Sequence, residues 1–250
     1  MDFEKIKPIE LMQRAILAQS GGFQARAVSA TRPKWDDMIN NYPNSSVDVI
    51  TLYNEIGNGL YEMLQKNSAW ENTCAFRMSK GLNYSGFKLP YNNFKYRATG
   101  TSGGVHIGKD KLNYWYRVRE LATYLIDHLG SPEIDIKLDK LQIPNALKKN
   151  TGLTLFEWQQ IKTNKNKISD IDWKRLKTIK GIITFDVSGW NDASGHFTLW
   201  DGKNLIYPGG PEHDDPTNDK YYFSMIYPIK KKNGDLDLVQ TNRVRIWELK

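Results

Sequence analysis

The sequence contains the stretch Trp70-Glu-Asn-Thr-Cys-Ala-Phe-Arg-Met-Ser-Lys-Gly-Leu-Asn-Tyr-Ser-Gly86, which includes Cys74, the only cysteine among 250 residues. Asn72 and Thr73 precede it, and both suit a helix N-cap because a side-chain oxygen can accept a free main-chain N–H of the first turn. Apolar residues then recur at helical spacing, at Ala75, Met78 and Leu82. The stretch therefore predicts a short helix with Cys74 in its first turn.

A cysteine in the first turn of a helix is favoured as a nucleophile. The positive end of the helix dipole stabilises the thiolate, which is the reactive form of the side chain. The alternative is a small buried cysteine that only packs, a common role for a free thiol. The stretch by itself leaves both interpretations open.

Length and composition indicate a folded protein, with 40% hydrophobic and 12% aromatic residues. A single cysteine excludes an internal disulfide. The net charge of +7 favours an anionic partner, but no motif of a nucleic-acid-binding family is present, so we expect no nucleic-acid partner. No apolar run has the length of a signal-peptide core or a membrane span, and we expect neither.

Periodicity predicts the helices of the first half of the chain. They cover residues 1–20, Val49 to Leu64 as one helix, and Leu112 to Leu129, the longest, which ends at Gly130. The run from Ser20 to Pro33 is small and polar, as in a linker. We therefore divide the chain into an N-terminal extension (1–31) and a domain (32–250).

The second half is rich in β-branched and aromatic residues. Residues 133–180 are lysine-rich with one predicted helix near Leu155, and strands are predicted at Gly181–Val187, His196–Trp200, Tyr221–Tyr227 and Arg243–Leu249. Helices followed by antiparallel strands indicate an α+β domain.

His196 provides the possible second half of a catalytic site. Alternation places His196, Thr198 and Trp200 on one face of their strand, opposite Phe197 and Leu199. A helix packed against the His196 face would bring a cysteine to the imidazole, which would accept the thiol proton and later protonate the leaving amine. A half-buried histidine bonded to a neighbour is the alternative. A helix cysteine followed by a strand histidine is also the chain order of papain-like folds.

Three segments resemble motifs of the type VI secretion amidase effectors of family 4. They are Asn72–Gly86, Tyr116–Leu125 and Gly181–Gly202, with a weaker match at Arg32-Pro-Lys-Trp and Asn41-Tyr-Pro-Asn. The resemblance covers residues 32–128 and 180–225, and residues 1–31 and an insertion around 138–178 exceed the family pattern. It implies a papain-like fold related to the NlpC/P60 peptidases, with an N-terminal helical part and a C-terminal antiparallel sheet.

The resemblance also implies a function. Members of this family are antibacterial toxins made in the cytoplasm, exported by a type VI apparatus with a delivery component, and active in the periplasm of a rival cell. They are peptidoglycan amidases (DL-endopeptidases) that cut the amide bond between γ-D-glutamate and meso-diaminopimelate in stem peptides. The implied partner is a dimeric cognate immunity protein, and no cofactor or metal is expected.

Matching positions make Cys74 the nucleophile and His196 the base, with main-chain N–H groups at the start of the cysteine helix as an oxyanion hole. Arg77 is expected to hold a substrate carboxylate, the alternative being a structural ion pair. In the family the third catalytic residue is an aspartate between two disulfide-bonded cysteines. This chain lacks both cysteines and has a polar loop at residues 207–219 instead. Asp219 is the predicted third residue, with the alternatives Asp214 and Asp215.

Two other functions fit the same residues. One is a phage lysin or wall-remodelling cysteine peptidase with this site. The other is a non-catalytic basic binding module, suggested by the missing cysteines and the altered loop. Thiol chemistry distinguishes the last, since an activated Cys74 is expected to have a depressed pKa and to alkylate rapidly near neutral pH.

Overall fold

The structure, a computed structural model, describes residues 19–20, 23–24, 32–92, 94–97 and 103–250. The helices of these residues are α1 (Trp35–Asn41), α2 (Val49–Ile56), α3 (Leu60–Lys66), α4 (Cys74–Tyr84), α5 (Val118–Leu129), α6 (Leu155–Thr163) and α7 (Asp170–Leu176). The strands are β1 (Gln19–Ser20), β2 (Phe23–Gln24), β3 (Val105–Ile107), β4 (Asn113–Trp115), β5 (Ile134–Lys137), β6 (Gly181–Ser188), β7 (Gly195–Trp200), β8 (Ile226–Lys230) and β9 (Leu236–Glu248).

A five-stranded antiparallel sheet organises the domain. Its order is β5-β9-β6-β7, and β8 pairs with the first part of β9. The long strand β9 pairs with β6 along one edge, while β8 and then β5 share the other edge. The β6–β9 register shifts by one residue between Asp186 and Val187. Strand β7, which carries His196, therefore lies at the edge of the sheet.

Both faces of this sheet are buried, because alternate side chains of each strand enter different cores. The first core contains Phe197 and Leu199 of β7 together with α1, α4 and α5. The second core contains Trp200 and Phe185, and it is closed by α7 and by aromatic residues 221–223. The predicted alternation along β7 is confirmed.

The predicted helix from Val49 to Leu64 is wrong, because the chain breaks it into α2 and α3. Gly57 and Gly59 between them have φ values of 75° and 84°, a left-handed conformation that ends a helix and favours glycine. The intervening Asn58 donates to the Ile107 carbonyl across 3.0 Å. The helical spacing of the apolar residues continues from α2 into α3, so it does not predict the break between them.

The helix predicted from Leu112 starts later than expected. Residues 113–115 form β4, which pairs with β3, and α5 begins only at Val118. It is the longest helix among the described residues and ends at Gly130, as predicted. Residues 113–115, which the helical pattern had included in α5, form a strand instead because they pair with β3.

The remaining elements mostly follow the sequence. The helix predicted near Leu155 is α6, and Thr154 and Glu157 form a capping box at its start. The strand predicted from Tyr221 begins only at Ile226, because the preceding residues form turns that place their rings in the second core. Strand β9 starts earlier than the predicted Arg243.

The predicted N-terminal helix lies mostly outside the described residues, as does the boundary near residue 31. Its last two residues, Gln19–Ser20, form β1 and pair with β2, where the sequence indicated a helix end and a linker. None of the helices in the described part of the chain is long and apolar enough to cross a bilayer.

Replacing Gly195 with alanine is expected to destabilise the sheet beside His196. A Cβ at this position would lie 2.2 Å from the Phe185 carbonyl oxygen, so β6 and β7 must separate. Overpacking of this kind costs about 1–3 kcal/mol in the free energy of unfolding, which urea denaturation measures. Gly152→Ala is the matched control, because nothing lies within 4 Å of its added Cβ. Equal stability of the two variants would contradict the expected clash.

Candidate active site

A cleft of about 970 Å³ contains both predicted catalytic side chains. Cys74 is the first residue of α4, and His196 is the second residue of β7. Each residue therefore lies near the start of its element, at the wall of the cleft. The structure brings the two residues into one cavity, as predicted, although they are far apart in the chain.

The cysteine helix packs on a different face of the sheet from the one expected. We predicted that it would cover the His196 face, but α4 and Cys74 belong to the core formed by Phe197 and Leu199. His196 instead contacts the aromatic residues of the second core. The two side chains still share the cleft because β7 is an edge strand, so the cleft reaches both faces at its end.

Thr73 occupies the N-cap position of α4, but its side chain makes no capping hydrogen bond. Its hydroxyl accepts from Arg77 Nε at 2.9 Å and pairs with the Tyr207 hydroxyl at 3.1 Å. Asn72 likewise bonds Asp192 at 2.9 Å across the cleft. The predicted capping role is therefore wrong, since both side chains hold neighbouring segments instead.

Burial raises the pKa of the Cys74 thiol. The main-chain amides of Phe197 and Ala75 and the positive charge of Arg77 oppose this rise and offset only part of it. The expected depressed pKa is wrong, because desolvation of the thiolate outweighs the helix N-terminus here. The rate of alkylation therefore does not distinguish an enzyme from a non-catalytic module in this chain. The Phe197 amide also places the sulfur beside the main chain of the residue that follows His196.

The His196 ring is held in one tautomer. Its Nε2 lies 2.7 Å from the Tyr207 carbonyl oxygen. A carbonyl can only accept, so Nε2 carries the proton and Nδ1 keeps its lone pair. Among the described residues Nδ1 has no hydrogen-bond partner, which leaves this nitrogen available as a base.

The same ring lies in an aromatic stack. Tyr222 is parallel to it at 4.5 Å between centroids, and His213 lies at 4.6 Å from the Tyr222 ring. Tyr207 lies near it at 5.7 Å. Burial lowers the pKa of His196 to about 3, although the Tyr207 carbonyl opposes this shift. At neutral pH the imidazole is therefore uncharged.

The three candidate acidic residues contact other groups. Asp219 is half-exposed and forms an ion pair with Lys162 of α6. Asp214 accepts from the Leu205 amide at 3.1 Å, and Asp215 accepts from the Thr217 amide at 2.9 Å. The structure does not bring a carboxylate of the 207–219 loop to His196. The group at Nε2 belongs to Tyr207, which sequence reasoning missed because every residue type has a carbonyl.

Arg77 is buried, with 2% of its surface exposed. It donates to Thr73 and to the main-chain carbonyls of Pro43, Asn44 and Val47, at 2.7–3.2 Å. Its guanidinium carbon lies 3.9 Å from the centre of the Tyr207 ring. The Arg77 guanidinium is thus bonded inside the protein, and no carboxylate in the described part of the chain pairs with it.

The rim of the cleft combines aromatic and cationic side chains. It includes Trp70, Tyr116, Arg119, Trp190, Lys220 and Tyr227. Arg119 is exposed in the first turn of α5, where the helix dipole disfavours a cation. Within the described residues, no group of three or more His, Cys, Asp or Glu side chains is arranged to hold a metal ion.

Comparison with known proteins agrees with this architecture. Residues 70–172 match the family model of the type VI secretion system (T6SS) amidase effector protein 4, Tae4. The crystal structure of the Tae4–Tai4 effector–immunity complex from Enterobacter cloacae is 22% identical, with a TM-score of 0.53 over 88% of this chain and 99% of that chain. Tae4 from Enterobacter cloacae alone gives 22% identity and 0.53 over 89% and 100%.

A third structure, Tae4 from Salmonella typhimurium in complex with the immunity protein Tai4 from Enterobacter cloacae, is 20% identical. Its TM-score is 0.51 over 88% of this chain and 100% of that chain. No curated protein matches this sequence. These likenesses confirm the predicted fold class, an α+β papain-like amidase fold.

Alkylation of Cys74 is expected to be slow at neutral pH and to accelerate about tenfold per pH unit up to pH 9. The reactive thiolate is scarce below a raised pKa, and the lone cysteine makes iodoacetamide labelling specific. Mass spectrometry gives the rate at each pH. The same chain in urea is the control, because its thiol titrates normally. A rapid, pH-independent rate between pH 5 and 8 would show a preformed thiolate–imidazolium pair instead.

Acid is expected to destabilise the protein through His196. Its pKa is 6.5 ordinarily and about 3 in the folded state, so between these values the unfolded chain binds more protons. The free energy of unfolding therefore falls with falling pH by up to about 1.4 kcal/mol per unit in this window. Urea denaturation from pH 7 to 4 measures the slope. His196→Asn, which cannot titrate there, is expected to show a shallower slope, and parallel curves would contradict the assignment.

Proposed function

We propose that this chain is a cysteine amidase of the type VI secretion effector 4 family that cleaves peptidoglycan in rival bacteria, because residues 70–172 match the model of that family. One observation carries the proposal. The thiol of Cys74 and an imidazole with a free Nδ1 lie in one cleft of a papain-like fold. Nucleophilic amide hydrolysis needs a thiol and a base in such an arrangement.

The proposed reaction starts from the neutral pair. As the Cys74 sulfur attacks the carbonyl carbon of the scissile amide, Nδ1 of His196 accepts the thiol proton. The tetrahedral intermediate collapses when the imidazolium returns this proton to the leaving amine, and a thioester on Cys74 remains. A water molecule, deprotonated by the same Nδ1, then hydrolyses the thioester and releases the carboxylic acid and the thiol.

The oxyanion of each tetrahedral intermediate needs hydrogen-bond donors. Main-chain N–H groups at the start of α4 are the proposed donors, since the first four N–H groups of a helix lack partners within it. An oxyanion-hole donor typically contributes about 3 kcal/mol to transition-state stabilisation. Asp219 stays a prediction as a third catalytic residue, and its ion pair with Lys162 does not support it.

The proposed substrate is the stem peptide, cut between γ-D-glutamate and meso-diaminopimelate. Both residues carry free carboxylates, and the cleft presents cationic side chains at its rim, Arg119 and Lys220. We assign carboxylate recognition to this rim, because the hydrogen bonds of Arg77 go to protein groups. The aromatic rim residues suit the apolar parts of a peptide.

Delivery and inhibition complete the proposal. The effectors of similar fold were crystallised with the immunity protein Tai4, which suggests that a cognate immunity protein, a dimer by family resemblance, protects the producing cell. We propose that a type VI apparatus and its delivery component carry the protein into the periplasm of the target cell. Residues 1–31 and the insertion at 138–178 are candidate contacts for these partners.

Digestion of purified sacculi tests the activity. The native protein is expected to convert tetrapeptide stems into glycan-linked L-alanyl-D-glutamate and free diaminopimelyl-D-alanine, which mass spectrometry identifies. Cys74→Ala is expected to lose several orders of magnitude in rate, because the nucleophile is removed. His196→Asn serves as a second inactive variant that keeps the thiol. Intact stems after incubation with the native protein, or cleavage at a different bond, would contradict the proposal.

A further inference from the structure

We propose that Tyr207 is the positioning residue for His196, holding the imidazole through its main-chain carbonyl while its side chain is fastened to the cysteine helix. Tyr207 would thereby couple the two halves of the site. The inference rests on the proposed function only for the nature of the reaction. The contacts that carry it belong to the folded chain.

The main chain of Tyr207 is bound at both of its polar groups. Its carbonyl accepts from His196 Nε2 at 2.7 Å, and its N–H donates to Thr198 Oγ1 at 2.8 Å. His196 and Thr198 are two residues apart and share one face of β7. The peptide group of Tyr207 is therefore placed across this face by two side chains of a single rigid strand.

The side chain of Tyr207 reaches the other catalytic element. Its hydroxyl pairs with Thr73 Oγ1 at 3.1 Å, and the Arg77 guanidinium covers its ring at 3.9 Å. Thr73 and Arg77 are four residues apart, so they lie on one side of the helix start and bond to each other at 2.9 Å. Cys74 follows Thr73 directly, which makes Tyr207 a link between the thiol and the imidazole.

The Tyr207 carbonyl orients the imidazole as the carboxylate of a catalytic triad would. It accepts from Nε2–H and so selects the tautomer in which Nδ1 is a base, as an aspartate does in a catalytic triad. It carries no negative charge, so it gives the imidazolium less stabilisation than a carboxylate would. Tyr207 therefore sets the position and the tautomer of the His196 ring, while burial keeps both Cys74 and His196 uncharged before substrate binds.

Nitrogen-15 NMR of histidine-labelled protein tests the tautomer directly. The chain has four histidines, and His196→Asn identifies the signal of interest. Native protein is expected to show the Nε2–H form alone. Tyr207→Leu removes the hydroxyl and the ring that hold the carbonyl in place, so a mixture of tautomers is expected. On stem peptide, kcat is expected to fall roughly 10- to 100-fold, by analogy with groups that orient a metal-binding histidine, with KM nearly unchanged.

Two further variants keep the test decisive. Tyr124→Leu also removes a buried tyrosine, but it lies in the first core away from the cleft, and it should lower the melting temperature without changing the tautomer. Thr73→Val keeps the Tyr207 side chain but removes the partner of its hydroxyl, together with the acceptor of Arg77 Nε. It is expected to give a smaller shift in tautomer and kcat, and it supplies the result should Tyr207→Leu fail to fold.

The inference is overturned if Tyr207→Leu and Thr73→Val keep the native tautomer and kcat. It is also overturned if Asp219→Asn shifts the tautomer and abolishes activity, which would place a carboxylate behind the histidine. The NMR measurement needs no turnover. Sacculi left intact by a protein with the expected tautomer shifts would therefore contradict the proposed function and leave the role of Tyr207 supported.

Discussion

The buried guanidinium of Arg77 is the interaction on which the geometry of the site depends. A charge removed from water is tolerated only if its hydrogen bonds are replaced. Here they go to Thr73 and to three main-chain carbonyls between residues 43 and 47, and the face of the guanidinium lies on the Tyr207 ring. The segment after α1, the start of α4 and the loop after β7 are thereby held together. Each of these contacts depends on the others, since a missing acceptor would leave a buried cation unsatisfied.

The electrostatics of the site follow from this enclosure. Burial raises the pKa of Cys74 and lowers that of His196, so both groups are neutral at rest. The group behind the imidazole is a carbonyl, which orients the ring without adding charge. The proposed chemistry therefore transfers a proton from thiol to imidazole during attack and does not begin with a stored thiolate. A neutral resting thiol is also less prone to unwanted alkylation and oxidation before substrate is bound.

The loop that covers His196 is held without a disulfide, which a chain with one cysteine cannot form. Tyr222 of the second core stacks on the imidazole, and His213 stacks on the Tyr222 ring. Near the end of the loop, Asp219 pairs with Lys162 of α6, a helix of the 138–178 insertion. The insertion thus contacts the same loop that supplies Tyr207. The carboxylate that sequence comparison placed in catalysis has a structural contact in this chain.

The sequence by itself determined the parts of the protein that depend on local order. The helix beginning at Cys74, the alternation around His196 and the α+β class were all evident, because helical and strand periodicities are properties of neighbouring residues. The break at Gly57–Gly59 and the role of Tyr207 were not. Only the tertiary structure decided what lies behind the histidine, because a main-chain carbonyl has no signature in sequence and an irregular loop sets its position. The pKa of the thiol was likewise decided by burial, a property of the packed chain and not of a helix start.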